Sequence, residues 1–312
     1  MIAFVVDLGG SHAACAVVRD GLILANQILP AEGENSLSSL LPVLSHTFHA
    51  LARSIQLDVA DVSGFVLGFC GIVSAREKRV LATNKKFQDA IHLDLSAWCA
   101  KEFGLPFFIE NDARLALLGE YAFGAARCAQ DVVMVTLGSG IGGAALLDGR
   151  LLQSKHGLAG TIGGHLPVVL DGRLCSCGNR GCAEAEASTA VLGEVYSRQA
   201  GSKEGMLRNR KTVGFAELFE AVDSGDKPGL TALDHCLHVW SVLTVALIHA
   251  YDPEIVVFGG SVLKRASDIL PRLQEYVRAN AWTPGRMVSL RAAALGSDAA
   301  LLGAIPLIES VD

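Results

Sequence analysis

Charge is sparse in this chain: 19% of its 312 residues are Asp, Glu, Lys or Arg, against 51% that are hydrophobic. That balance excludes the highly charged, weakly hydrophobic regime of a disordered polymer. It leaves apolar surface for two domains at ~100–200 residues each. Basic residues are scarcer than acidic ones, and a formal net charge of −6 argues against general affinity for nucleic acid, which needs clustered cations to displace counterions. The two short basic runs, 76–79 and 208–211, read as solvated turns or helix ends. Long apolar runs are also missing. Residues 2–6 are apolar, but Asp7 stops them short of the ~7–15 residues of a secretory core. The run at 239–250 contains Trp240, Ser241 and His249 and falls short of the ~20 residues that cross a bilayer. No Walker lysine loop and no low-complexity linker is present. A cytoplasmic protein without nucleic-acid or membrane partners is expected. Its eight cysteines should be reduced, and clustered ones read as metal ligands rather than disulfides.

What is present is a repeated hairpin. Residues 2–6 read as a strand, Gly9-Gly10-Ser11 as a tight loop, 13–18 as a second strand, and Asp20-Gly21 as a turn into 22–25. The pattern returns with a strand at 132–136, a loop at Gly138-Ser139-Gly140, a strand at 142–147, and Asp148-Gly149 turning into 150–152. Val5-Val6-Asp7-Leu8-Gly9 matches Met134-Val135-Thr136-Leu137-Gly138, a weak duplication of two halves. Further strands are predicted at 64–69, 106–109, 255–258 and 289–293. Helices are predicted at 37–55, 93–103, 113–123, 183–198, 215–223, 232–251, 268–281 and 298–308. Strands alternating with helices imply sheets covered on their faces. The domain change is expected inside a continuous helix near 113–125.

Three sets of residues carry chemistry. Glycine removes the Cβ that would keep phosphate from backbone amides. Two glycine loops at hairpin bends could grip a polyphosphate, with Asp7 holding magnesium directly or through water. Gly259-Gly260-Ser261, after the predicted strand 255–258, is a third loop suited to a nucleotide. His165, Cys175, Cys177 and Cys182 form H-x9-C-x-C-x4-C, a closed tetrahedral set that marks structural zinc, with Gly172, Gly178 and Gly181 supplying turns. Asp112 ends Phe107-Phe108-Ile109-Glu110-Asn111-Asp112 at a strand-to-helix junction. Capping a helix is its ordinary role, yet phosphoryl transfer to an alcohol needs a carboxylate placed there as proton acceptor. Asn111 could exchange hydrogen bonds with a sugar hydroxyl. Glu184 starts a helix, a favourable place for an acid.

Together these motifs resemble the ROK family (repressor, open reading frame, kinase) over essentially the whole chain. Asp7-Leu8-Gly9-Gly10-Ser11 is similar to its first phosphate motif, D-x-G-G-T, and Leu137–Gly143 to its second, G-T-G-I-G-G. Residues 253–260 are similar to the adenosine segment, and 295–304 to the closing helix. Cys175-Ser176-Cys177-Gly178-Asn179-Arg180-Gly181-Cys182-Ala183-Glu184 matches C-x-C-G-x-x-G-C-x-E, the most specific match. The resemblance implies an α/β, actin-like (ribonuclease H-like) two-domain fold with a duplicated β-hairpin-plus-βα core and a zinc-binding loop. Residues 1–115 would form the smaller domain, completed by the closing helix 298–312, and 116–297 the larger one. It implies an ATP:sugar phosphotransferase, a glucokinase-like enzyme of carbohydrate metabolism. Asp112 would be the base at a sugar hydroxyl, typically C6, with Asn84, Asn111, His165, Glu184 and Gly71 as sugar contacts. Asp7, Gly9, Gly10, Ser11, Gly138, Ser139, Gly140, Gly259 and Gly260 would hold Mg-ATP, beside a structural zinc, in a homodimer.

The chain departs from the family at one telling place. A-G-E-I-G-H is replaced by Ala159-Gly160-Thr161-Ile162-Gly163-Gly164-His165. Thr161 stands where a sugar-binding glutamate is expected, and one glycine is added. A neutral, shorter side chain loses a charge-assisted hydrogen bond, which weakens the expectation of glucose and leaves fructose or a rarer epimer open. A catalytically weak sugar- or nucleotide-binding protein is the alternative. A repressor of the same family would need a helix-turn-helix and is not expected, because Met1 stands almost directly before the first phosphate strand.

Overall fold

A computed structural model describes residues 1–9, 12–31, 36–83, 86–161 and 163–310. The chain divides into two compact units: Met1–Cys128, Leu151–Thr161 and Ala294–Asp312 form the first, Ala129–Arg150 and Ile162–Ala293 the second.

The first unit contains β1 (Ile2–Leu8), β2 (His12–Arg19), β3 (Leu22–Pro30), α1 (Leu37–Ser54), β4 (Gly64–Phe69), β5 (Ile72–Ser74), β6 (Arg79–Ala82), α2 (Leu95–Phe103), β7 (Phe107–Asn111) and α3 (Asp112–Phe123). Its main sheet runs β3-β2-β1-β4-β7, antiparallel through the hairpins and parallel from β1 to β7. Side chains alternate across a strand, so Phe4, Val6 and Leu8 share one core with Cys15, Val17, Phe48, Phe65 and Phe103. Phe4 stacks on Phe48 with ring centres 4.9 Å apart. Parallel pairing aligns Asp7 with Gly68, and Gly68 with Glu110. The carboxyl-terminal ends of β1, β4 and β7 therefore form one edge. β5 and β6 make a small separate sheet that the sequence pattern did not suggest, because neither is long enough to display a period.

The second unit contains β8 (Val132–Leu137), β9 (Ile141–Leu147), β10 (Arg150–Leu151, at the division), α4 (Ala183–Ala187), α5 (Leu192–Ser197), α6 (Phe215–Asp223), α7 (Lys227–Tyr251), β11 (Ile255–Gly259), α8 (Ala266–Asn280) and β12 (Ser289–Ala292). Its sheet runs β10-β9-β8-β11-β12, again a hairpin followed by two parallel strands. Both hairpins turn on Asp-Gly pairs with positive φ at each residue, 46° and 84° at Asp20-Gly21 and 50° and 71° at Asp148-Gly149. Such turns match the twist of the strands they join. The helix predicted at 183–198 is interrupted: Ser188 is extended, with ψ 164°. The break lets the Thr189 and Ala190 N–H groups reach the carbonyls of Gly138 and Ser139, at 3.0 and 3.3 Å. By length and composition α7 is apolar enough to cross a membrane, but 61% of that window is buried. Its Trp240 is buried, contacts the Phe215 ring at 5.3 Å, and donates Nε1–H to the Ala187 carbonyl.

The chain returns to the first unit as α9 (Ala299–Leu302) and α10 (Ala304–Glu309), not as one helix. α3 crosses them backbone to backbone. A methyl on Gly119 would come within 2.0 Å of the Ala299 carbonyl oxygen, and one on Gly303 within 1.9 Å of the Leu115 carbonyl oxygen. Beside this crossing the buried Glu120 carboxylate accepts from the Ala125, Ala294 and Leu295 N–H groups at 2.7, 3.0 and 2.8 Å. Gly303→Val should force the helices apart and cost at least ~3 kcal/mol, read as a lowered urea midpoint. An unchanged midpoint would remove the close crossing from the account.

Candidate active site

Asp112 opens α3 directly after β7, and its capping duty falls to its neighbour. Asn111 Oδ1 accepts from the Ala113 and Arg114 N–H groups at 3.1 and 3.3 Å, and Asn111 Nδ2 donates to the Gly71 carbonyl at 3.2 Å. Two of the expected sugar contacts, Asn111 and Gly71, are thus tied to each other. Asp112 Oδ1 accepts from the Ala113 N–H at 2.8 Å. Asp7 is at the same sheet edge, its Oδ1 3.5 Å from where a Cβ on Gly68 would lie. Burial, then the Asp112 charge, pushes the Asp7 carboxyl up to about 7. Burial also lifts Asp112 to about 6, against hydrogen bonds from the Ala113 N–H and the Asn111 side chain that pull it down. A carboxylate held near neutrality is a better proton acceptor than an ordinary one. The Cys70 thiol is raised to about 12 by burial and by the Asp112 charge, which disfavours its thiolate. Gly9 N–H donates to the His12 carbonyl at 3.0 Å. Gly10, Ser11 and Asn84, all expected at the site, lie outside the described residues.

Beneath this edge is a buried ion pair that the sequence reading passed over. Glu110 and Arg114 are 0% and 2% exposed and 3.2 Å apart. Glu110 also accepts from the Asn111 N–H and from Gln153 Nε2, both at 2.8 Å, and Arg114 Nη2 donates to the Ala159 carbonyl at 2.5 Å. The network ties β7 and α3 to the segment Leu151–Thr161, which ends at Thr161. The Thr161 hydroxyl donates to the Gly157 carbonyl at 3.0 Å. Arg114 sits beside the apolar run Leu115-Ala116-Leu117-Leu118, and a charge in such surroundings must find a partner; that was the available signal. Arg114→Leu leaves the Glu110 charge buried alone and should cost ~3–5 kcal/mol. Adding Glu110→Gln should recover part of this loss in urea denaturation, and no recovery would argue against a coupled pair.

The second unit presents the other glycine loop. Gly138 N–H donates to the Gly140 carbonyl at 3.0 Å, closing the bend between β8 and β9. Glu184 lies under it: Oε2 accepts from the Ile141 N–H at 2.9 Å, and a methyl on Gly140 would come within 2.4 Å of that oxygen. Glu184 therefore supports this glycine loop from below through Oε2. Gly260, with φ 96°, follows β11 beside the end of β8, where a methyl would come within 2.1 Å of the Leu137 carbonyl oxygen. Gly138-Ser139-Gly140 and Gly259-Gly260 are thus brought together.

His165, Cys175, Cys177 and Cys182 converge as their spacing suggests. One ligand atom from each lies within 4.8 Å of all the others. Cys175 Sγ is 3.4 Å from His165 Nδ1, and Cys177 Sγ is 3.7 Å from Cys182 Sγ. Tetrahedral zinc with bonds of ~2.0–2.3 Å separates its ligands by about 3.5–3.8 Å, so the donor set fits that ion. A knuckle holds it: Cys175 N–H donates to the Asn179 carbonyl at 2.8 Å and Gly178 N–H to the Cys175 carbonyl at 3.0 Å. The Asn179 N–H lowers the Cys177 thiol. With Nδ1 turned to the sulfurs, His165 Nε2 is on the far side of its ring. Metal analysis should find about one zinc per chain. Cys182→Ser should lose it and destabilise the protein by at least ~3 kcal/mol, whereas full stability in the metal-free protein would count against a structural ion.

Comparison with known proteins agrees with this architecture. The ROK family model matches residues 3–311. The chain is 32% identical to the glucokinase of Thermotoga maritima, over 97% of this chain and 96% of that one. It is 28% identical to the xylose repressor of Bacillus subtilis, over 76% of this chain and 59% of the repressor. A crystal structure of a ROK family glucokinase from Streptomyces griseus in complex with glucose and AMPPNP superposes with a TM-score of 0.82 at 26% identity, covering 98% of this chain and 99% of that one. With a family match that spans nearly every residue and a two-sheet α/β fold shared with these kinases, the chain belongs to the ROK family.

Proposed function

We propose that this chain transfers the terminal phosphoryl group of Mg-ATP to a sugar hydroxyl, at C6 of a hexose or an N-acetylhexosamine, with Asp112 as general base. The observation that carries the reading is the Asp112 carboxyl at the strand edge, relieved of capping by Asn111 and raised to about 6 beside Asp7. Its likeness to the Thermotoga maritima glucokinase, and to a structure holding glucose and AMPPNP, supports the same activity. Asp112 takes the hydroxyl proton as the oxygen attacks the terminal phosphorus, while the bond from that phosphorus to its bridging oxygen breaks and ADP leaves with the electron pair. Asp7 would hold magnesium, directly or through water, and the backbone amides of Gly9, Gly10, Ser11, Gly138, Ser139 and Gly140 would hold phosphate oxygens. Bound magnesium supplies charge neutralisation on the phosphates. Gly259 and Gly260 flank the nucleotide. Asn84, Asn111, Gly71, His165 and Glu184 recognise the sugar, His165 through Nε2 while Nδ1 faces a structural zinc. The protein works as a cytoplasmic, actin-like homodimer.

Thr161 bears on the choice of sugar. Its hydroxyl proton is engaged by Gly157, so it offers a sugar an acceptor without charge, in contrast to the expected glutamate. The likeness to a xylose repressor favours a second reading, in which sugar binds without turnover.

ADP release should be stimulated by at least one sugar among aldohexoses, ketohexoses, N-acetylhexosamines and rarer epimers. Asp112→Asn should lower kcat by about 10²–10⁴-fold while the sugar KM changes little. A base with a carboxyl near 6 must lose its proton to work, so the wild-type rate should climb between pH 5 and 7, with about a tenfold deficit at pH 5. The variant should lack this climb. Sugar binding by calorimetry without ADP release would support the repressor-type reading, and equal kcat in Asp112→Asn would remove Asp112 from the base role.

A further inference from the structure

Beside the cysteine knuckle, the second unit opens a cleft of about 590 Å³ in which Arg173, Arg180 and Arg198 meet Asp171, Glu186 and Glu194. Its volume falls within the ~300–1,000 Å³ of small-molecule sites. None of these six residues has a part in the phosphoryl-transfer reading. Their formal charges cancel, but the carboxylates are not equally available. Glu186 is buried, accepts the Arg173 backbone N–H at 2.6 Å, and lies 3.8 Å from His235 Nε2. Asp171 is exposed. Glu194 is 69% exposed and bridges to Arg173 Nη2.

The cations are under-satisfied. The Arg173 side chain is only 11% exposed, and its Nη1 is buried with no hydrogen-bond partner among the described residues. Arg180 gives Nη1 to the Gly172 carbonyl at 3.3 Å, a contact that leaves its charge unbalanced. The Arg198 guanidinium has no ion-pair partner among the described residues. Three guanidinium forks on one cleft match the several oxygens of a phosphoryl group better than a single carboxylate does. The largely exposed Glu194 side chain is paired with the most buried of them, where an incoming anion could displace it.

We infer that this cleft binds the phosphoryl group of a small molecule, with Glu194 occupying the anion's place on Arg173 in the free protein. The site is joined to the knuckle. Gly181 N–H donates to the Arg173 carbonyl at 2.9 Å, and Leu174 bridges to Arg180 inside the cysteine loop. Occupancy therefore bears on the loop that carries Cys175, Cys177 and Cys182. The two sources of such a group are free phosphate and a phosphorylated sugar, the product class of the proposed reaction.

Calorimetric titration of the full chain with inorganic phosphate and with glucose 6-phosphate tests this, run with and without AMPPNP so that binding at the glycine loops is separated. At least one of the two ligands should bind in the presence of AMPPNP. The Arg180→Ala/Arg198→Ala variant, both sites being exposed, should keep the wild-type urea midpoint and weaken that binding at least tenfold. Glu194→Gln should bind about threefold or more tightly, because the competing carboxylate charge is gone. Equal affinities for the two ligands would assign the site to phosphate itself, and tighter glucose 6-phosphate would assign it to sugar phosphates. Undiminished binding in the double variant, weaker binding in Glu194→Gln, or no binding of either ligand would overturn the assignment.

Discussion

One buried carboxylate fastens the first unit where the chain leaves it and where it comes back. Glu120 takes the Ala125 N–H on the way out and the Ala294 and Leu295 N–H groups on the way in. Hydrogen bonds to a charged group contribute ~1.5–3 kcal/mol each, and three donors satisfy a charge that would otherwise be prohibitive to bury. With that anchor, the glycine crossing at Gly119 and Gly303 and the buried Leu301, Leu302, Ile305 and Leu307 hold α9 and α10 in the first unit. The same device recurs. Glu110 holds the Asn111 N–H just before the proposed base, Glu184 the Ile141 N–H below the second glycine loop, and Glu186 the Arg173 N–H beside the knuckle. Glu184 and Glu186 reach from α4 to pin a loop, whereas Glu110 holds the N–H of its own neighbour on β7.

Much of the architecture could be read from the chain because its signals are local. The two Asp-Gly hairpins, the glycine loops behind β1 and β8, and the clustered cysteines are each contained in a few consecutive residues. The loop sulfurs and His165 Nδ1 meet as their spacing suggests. Apart from the Glu110–Arg114 pair and the short strands β5 and β6, what escaped notice depends on residues distant in sequence. Glu120 and Leu295 are 175 positions apart, and nothing near either one announces the other. Residues 150–152 read as the continuation of the second hairpin, yet Leu151–Thr161 belongs to the first unit, tied there by Gln153 and by the Ala159 carbonyl. The helix predicted across 183–198 failed for the same kind of reason. Its periodicity is sound, but Thr189 and Ala190 find better acceptors in the loop at Gly138 and Ser139 than in the preceding turn.

The site also shows why some aspartates stabilise a fold and others are kept for chemistry. Asp89, despite some burial, is drawn down to about 2 by the Ser38 and Leu37 N–H groups and by serine hydroxyls at the start of α1. Its ionised form is stabilised by folding, a contribution present above its unfolded value near 4 and lost as the pH falls through 2. Asp7 and Asp112 run the other way. Burial lifts them to about 7 and 6, so between about pH 4 and 7 the folded chain binds more protons than the unfolded one, and their contribution falls as the pH rises. The difference lies first in burial, which is far deeper at Asp7 and Asp112 than at Asp89, and then in donors. Asp89 has two backbone N–H groups at 2.7 and 2.9 Å, whereas Asp112 shares the Ala113 N–H with Asn111. Asn111 takes the greater share of the cap, and the donors that do reach Asp112 fall short of offsetting its desolvation, so its carboxyl stays basic. The same arrangement that makes this edge a liability to stability is what equips it to accept a proton near neutral pH.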